Sequence, residues 1–181
     1  MKHMLRGAAI AAMLAAVPAL AEERICTGTI GAIQLDNVRV PDGRSCTLQG
    51  TILNGNIVVG RGATLVATGV RMNGNVRAEG HRLVRLDGGT DVGGSVQLTQ
   101  GGRAQISGIA VDSDIQLDAN LGALALAANR VGGNVQVVGN SGGVTLNRNR
   151  ISGALQCKEN SPAPTGSGNV AGDKERQCAR L

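Results

Sequence analysis

The segment GGNVQV (Gly132–Val137) recurs along the chain in near-copies. These are NGNIVV (Asn54–Val59), NGNVRA (Asn73–Ala78), GGSVQL (Gly93–Leu98), DSDIQL (Asp112–Leu117) and SGALQC (Ser152–Cys157). Aligned on the residue before the first apolar position, the copies fall at Asn56, Asn75, Ser95, Asp114, Asn134 and Ala154. Successive copies are thus roughly 20 residues apart, and the spacing never varies by more than a single position. A unit this short cannot bury its own apolar side, so it must stack on its neighbours. A fixed period of this size therefore predicts a solenoid.

Within each copy, apolar and polar residues alternate, which predicts short strands rather than helices. Ile57, Val76, Val96, Ile115, Val135 and Leu155 form one inward column, and Val59, Ala78, Leu98, Leu117, Val137 and Cys157 a second. A following strand adds Leu65, Val84, Ala104, Leu124 and Val144, then Ala67, Leu86, Ile106, Leu126 and Leu146. Met72, Val92, Val111, Val131 and Ile151 make a fifth column before the glycine turn. Residues two apart in a strand share a face. The expectation is an all-β parallel β-helix (a β-solenoid) of about six 19–20-residue rungs, right-handed from its rung length. At about 4.8 Å per rung it makes a rod on the order of 30 Å long. The chain has no Phe, Tyr or Trp, as suits a narrow aliphatic core.

Asparagines recur at the corners: Asn120, Asn140 and Asn160, and again Asn129, Asn149 and Asn169. Stacked side chains can hydrogen-bond along the axis, and Asn tolerates left-handed backbone angles. On the outer side of the first strand run Val58, Arg77, Gln97, Gln116, Gln136 and Gln156, with Gln34 placed in the same row. The glutamine amides are read as satisfying one another between rungs. The alternative is a flat surface for self-association.

The ends break the pattern. Residues 1–21 combine Lys2 and Arg6, a short apolar run and ALA before Glu22, the layout of a cleaved secretory signal peptide. Losing it lowers the formal charge from +5 to +3 by removing those two cations. No transmembrane segment is expected after cleavage. Residues 22–53 are read as an N-terminal cap with a partial rung at Ala32–Leu35, 54–157 as the repeats and 158–181 as a C-terminal cap. An exported chain sits where disulfides persist. Cys26, Cys46, Cys157 and Cys178 allow three pairings, and their distribution, two at each end, favours Cys26–Cys46 and Cys157–Cys178 as staples closing the ends.

The rung GGNVQV followed by NSPAPTGSGNVAGDKERQC resembles an exported bacterial family of single-stranded parallel β-helix proteins known as hypothetical proteins. In solenoid style alone the rungs are also similar to bactofilins, which are cytosolic and need no disulfides. The resemblance covers roughly Asn54 to Cys178. It implies the architecture and assigns no activity.

For chemistry the sequence offers little. His81 is the one histidine after the leader, at a corner where exposure is expected, and no nucleophile elbow accompanies it. Asp112, Asp114 and Asp118, with Asp91 a rung away, are the densest carboxylates. Asp112–Ser113–Asp114 lacks the corner glycine of the other copies, and Asp114 falls in the Asn56/Asn134 corner column, which makes it a turn residue. No catalytic, cofactor or metal residues are assigned. Arg61, Arg82 and Arg103 recur near one-rung spacing between the first two strands. They predict a guanidinium ladder that, with Arg77 and Arg85 on the outer strand faces, offers forks to an anionic ligand. Without aromatic stacking platforms, nucleic acid is not an expected partner.

The leading reading is a non-enzymatic, periplasmic or secreted module of a bacterial cell envelope, structural or interacting through its surface. A second is binding of anionic envelope polysaccharide or lipid head groups through the arginine face. A third is a self-assembling fibre subunit.

Overall fold

The computed structural model describes residues 22–181, so the leader read at 1–21 lies outside the described residues. The described chain winds through about eight turns of a parallel β-solenoid with no helix, more turns than the repeats alone implied. Its sides are three sheets in which every strand pairs in parallel with strands one turn away. The first face has nine strands, from Glu23–Ile25 to Asp173–Arg176. The second has eight, from Thr29–Ile30 to Thr165–Ser167, and the third has seven, from Gln34–Leu35 to Arg150–Ile151.

The stacking follows the sequence columns. Ile57, Val76, Val96, Ile115, Val135 and Leu155 are consecutive cross-strand partners, and all are buried. The four other columns are buried throughout as well. Each large aliphatic side chain removed from water contributes about 1.5–3 kcal/mol. The turn-by-turn repetition of these contacts makes one continuous core rather than separate clusters.

Corners are closed by three polar devices. At the entry to the first face, each side-chain oxygen accepts the backbone N–H of the next turn, from Asn37 through Asn56, Asn75, Ser95, Asp114 and Asn134 to Ala154. Asp114 is thus the turn residue its column implied. The two other ladders, Asn120/Asn140/Asn160 and Asn129/Asn149/Asn169, are buried. There the hydrogen bonds point the opposite way, each Oδ1 accepting from the preceding turn. Corners also need left-handed backbone, supplied by Gly69 and Gly108, both at φ 62°.

The N-terminal region departs from the expected cap. Residues 22–53 complete turns of the solenoid, adding strands to all three faces instead of one partial rung. Gln34 lies on the third face opposite Ile52, not in the glutamine row. The row's residue in that turn is Arg39, opposite Val58. The expected register failed because the corner before the first face is one residue shorter there: Asp36–Asn37 stands between Leu35 and Val38 where Asn54–Gly55–Asn56 stands a turn later, so no glycine marks NVRV as the first-face strand.

Both ends are stapled. Cys26–Cys46 ties the first turn to the second, and Cys157–Cys178 joins the last regular turn to the C-terminal segment; all four cysteines are buried. After Pro162, residues Thr165–Ser167 rejoin the second face and Asp173–Arg176 close the first. Gln177 terminates one buried ladder: its Oε1 accepts from the backbone N and Nδ2 of Asn160 at 3.0 and 3.1 Å.

Candidate functional site

The arginines singled out in the sequence do not form one ladder. Arg103 pairs in register with Leu83, so it stands one column away from Arg82. Arg61 precedes both, its carbonyl accepting from Gly43 and its Cγ lying under Gly80. Arg77 projects from the first face and Arg85 from the second. Near-rung spacing does not equal register, because turns of unequal length place their extra residue in different corners.

Most of these side chains are already engaged. Arg61 pairs with Glu79 at 2.9 Å, and Arg77 donates to Oε1 of Gln97 at 3.1 Å. Arg82 donates to Oγ1 of Thr64 at 3.0 Å. Arg85 pairs with Asp87, whose carboxyl is held below the usual carboxylate range by the Thr68 hydroxyl first and Arg85 second. The two ion pairs add little stability, roughly 0–1 kcal/mol each, but they neutralise Arg61 and Arg85, while Arg77 and Arg82 keep their charge. Only Arg103 of the five has no hydrogen bond or ion pair from its side chain among the described residues. It borders a shallow groove of about 520 Å³ on the second face, floored by Ala123, Ala125 and Gly143 and closed by Pro162.

A different group is unpaired. Arg130 and Arg150 are cross-strand partners on the third face, and Arg148 occupies the adjacent corner. All three line one groove of about 420 Å³. None makes a side-chain hydrogen bond or ion pair among the described residues. The signal was present in sequence as a column: Arg71, Asp91, Ala110, Arg130, Arg150.

The glutamine row is continuous in position but not in bonding. Gln97 donates to Gln116 at 3.3 Å and Gln156 to Glu175 at 3.0 Å. The register pairs Gln116–Gln136 and Gln136–Gln156 share no side-chain hydrogen bond. The outer amides are only half-buried there, so water can serve them.

His81 is the second departure. It is 2% exposed, not exposed as its corner implied, and neither ring nitrogen has a hydrogen-bond partner. It belongs to the column that continues through Gly101, Asn120, Asn140 and Asn160, as the backbone bonds from Gly102 to His81 and from Leu121 to Gly101 show. A side chain on Gly101 would collide with the imidazole ring. The ring therefore fills space that an asparagine fills in later turns. Burial pushes its pKa below the ordinary value of 6.5; the backbone of Arg103 opposes this without closing a hydrogen bond of normal geometry.

Asp112, Asp114 and Asp118 do not converge, and no three metal-ligating side chains come together among the described residues. Asp118, at the outer end of a first-face strand, has its carboxyl raised by partial burial. The class that fold and surface define is a disulfide-stapled parallel β-solenoid. Set beside protein-family models, curated proteins and solved structures, the chain matches none.

Proposed function

We propose that this protein is a non-enzymatic, exported β-solenoid serving as a structural or surface-interaction module of a bacterial cell envelope. The observation that carries this reading is the unbroken stack of parallel sheets closed at both ends by intrachain disulfides. A rod of this kind presents three long, fixed sides. Its rigidity comes from backbone ladders and a continuous core. Disulfides at both ends suit an oxidising compartment, and the leader-like residues 1–21 supply a route to it.

The test is performed in a bacterial host expressing the full chain. Thiol alkylation before and after reduction, with mass analysis of the N-terminus, should find four oxidised cysteines and a chain beginning near Glu22. The mature rod should then sediment with isolated envelope fractions. A full-length chain with reduced thiols in the cytosol would overturn export, and an oxidised rod that ignores envelope material would overturn the envelope role.

A further inference from the structure

The third face carries an arrangement that its own chain leaves unsatisfied. Arg130 and Arg150 lie directly opposite each other in adjacent parallel strands. Like charges at such positions repel and cost stability. Earlier in the same column Arg71 stands in register opposite Asp91, a residue of opposite charge, though the two side chains form no ion pair. In the later turns no carboxylate takes that role: the column reads Ala110, Arg130, Arg150, then Val170. The acidic residues nearest in sequence register, Asp91 and Asp112, make no ion pair with either arginine.

Arg148 adds a second, independent oddity. Its backbone is left-handed at φ 53°, in a corner column where other turns place Gly50, Gly69, Gly88, Gly108 and Gly168, or the small Ala128. A side chain in that conformation costs about 1–2 kcal/mol, and Arg148 is the one long side chain in the column from Gly50 to Gly168. The turn above leaves room for it, since a Cβ on Gly168 would come within 3.3 Å of its Cγ. The turns below are also low: Gly108 and Ala110 floor the groove, and Asp91 stands at its far side.

We propose that Arg130, Arg148 and Arg150 bind the phosphate of a sugar phosphate, with the sugar lying over Ala110 toward Asp91. Three guanidinium groups that line one groove from two strands and a corner suit a tetrahedral dianion better than a planar carboxylate, which offers two oxygens in one plane. Guanidinium forks bind phosphate oxygens in pairs. The site is single rather than a rail, because Ala110 and Val170 interrupt the column on either side, so a regularly charged polyanion finds no continuation. Asp91, two turns from Arg130 and thus about 10 Å away, accepts hydrogen bonds from sugar hydroxyls across the span of one ring and its phosphoester. This assignment names a ligand class for the interaction module proposed above and takes its biological setting from that reading. The binding itself belongs to the isolated rod.

The experiment titrates the oxidised protein, residues 22–181, with glucose 1-phosphate, inorganic phosphate, glucuronate and glucose at low salt, read by calorimetry and amide NMR shifts. Glucose 1-phosphate should saturate, shift amides around Gly108, Arg130 and Arg150, and bind tighter than the other three probes. Arg130→Gln/Arg150→Gln should weaken it by about tenfold or more, with an unchanged far-ultraviolet spectrum. Asp91→Asn should bring glucose 1-phosphate down to the affinity of inorganic phosphate without altering the latter. Arg61→Gln/Arg82→Gln should change neither. Absence of saturable binding, equal binding of glucuronate or of inorganic phosphate, or binding that survives the double Arg130/Arg150 substitution would overturn the proposal. None of these failures touches the compartment and thiol measurements, so the two readings fail separately.

Discussion

Asn120 donates both its backbone N–H and its side-chain Nδ2 to the single Oδ1 of Asn140, at 2.9 and 3.0 Å, one turn further along the rod. Its Nδ2 also reaches back to the carbonyl of Leu98. Asn140 repeats the pattern with Asn160 and Leu117. The Asn140 amide thus satisfies two backbone groups, the N–H of Asn120 and the carbonyl of Leu117, at a buried corner where water has no access.

Asn140→Ala should therefore be costly. It strips the acceptor from two donors of Asn120 and the donor from the carbonyl of Leu117. Buried groups left unpaired cost about 1–3 kcal/mol each, part of which relaxation recovers, so the expected loss is roughly 2–4 kcal/mol in urea unfolding. Asn54→Ala, at an exposed corner, should stay within about 0.5 kcal/mol. Equal losses at the two sites would refute the ladder's role.

Gly101 and His81 should be coupled. Gly101→Ala places a methyl group against the imidazole, and overpacking of this kind costs about 1–3 kcal/mol. In His81→Ala the ring is gone, so adding Gly101→Ala should cost far less than it does alone. Denaturation of the two single variants and the double variant measures the coupling. Additive effects would show that the ring moves aside freely.

His81 should also make the fold acid-sensitive in a defined window. Its folded pKa lies below 6.5, so between that folded value and 6.5 the unfolded chain binds more protons. Stability is then complete above pH 6.5 and falls as the pH drops toward the folded pKa, by at most about 1.4 kcal/mol per pH unit. The urea midpoint should be lower at pH 5.5 than at pH 7.5, and His81→Gln should flatten that difference. An unchanged slope in the variant would assign the effect to other groups.

The C-terminal staple should protect one end rather than the whole rod. Cys157 and Cys178 are 21 residues apart, and closing a loop of that length is worth about 3 kcal/mol. In Cys157→Ala/Cys178→Ala, hydrogen exchange should accelerate at Asp173–Arg176 and at Asn160, whose cap Gln177 sits beside Cys178. Amides of the central turns, such as Leu98 and Leu117, should keep their protection. Uniform loss of protection would mean that the solenoid unfolds as one unit.

The architecture was legible in the chain because a β-solenoid is nearly one-dimensional. A nearly constant repeat length and alternating aliphatic positions determine which residues stack, and Ile57 through Leu155 stack as the columns require. The pairing of the cysteines followed from the same logic, since repeats without cysteine separate the two ends. Position within the period is where sequence reading failed. Turns of unequal length differ by a residue whose corner only the folded backbone selects, which is why Arg61, Arg82 and Arg103 look stacked and are not, and why Gln34 is on the third face. Burial at corners was likewise decided in three dimensions. His81 is enclosed because Gly101, one turn away, leaves a hollow, and no local property of AEGHRL encodes that hollow. The same holds for charge: whether an arginine is neutralised depends on what the neighbouring turn places beside it, Glu79 for Arg61 and another arginine for Arg130.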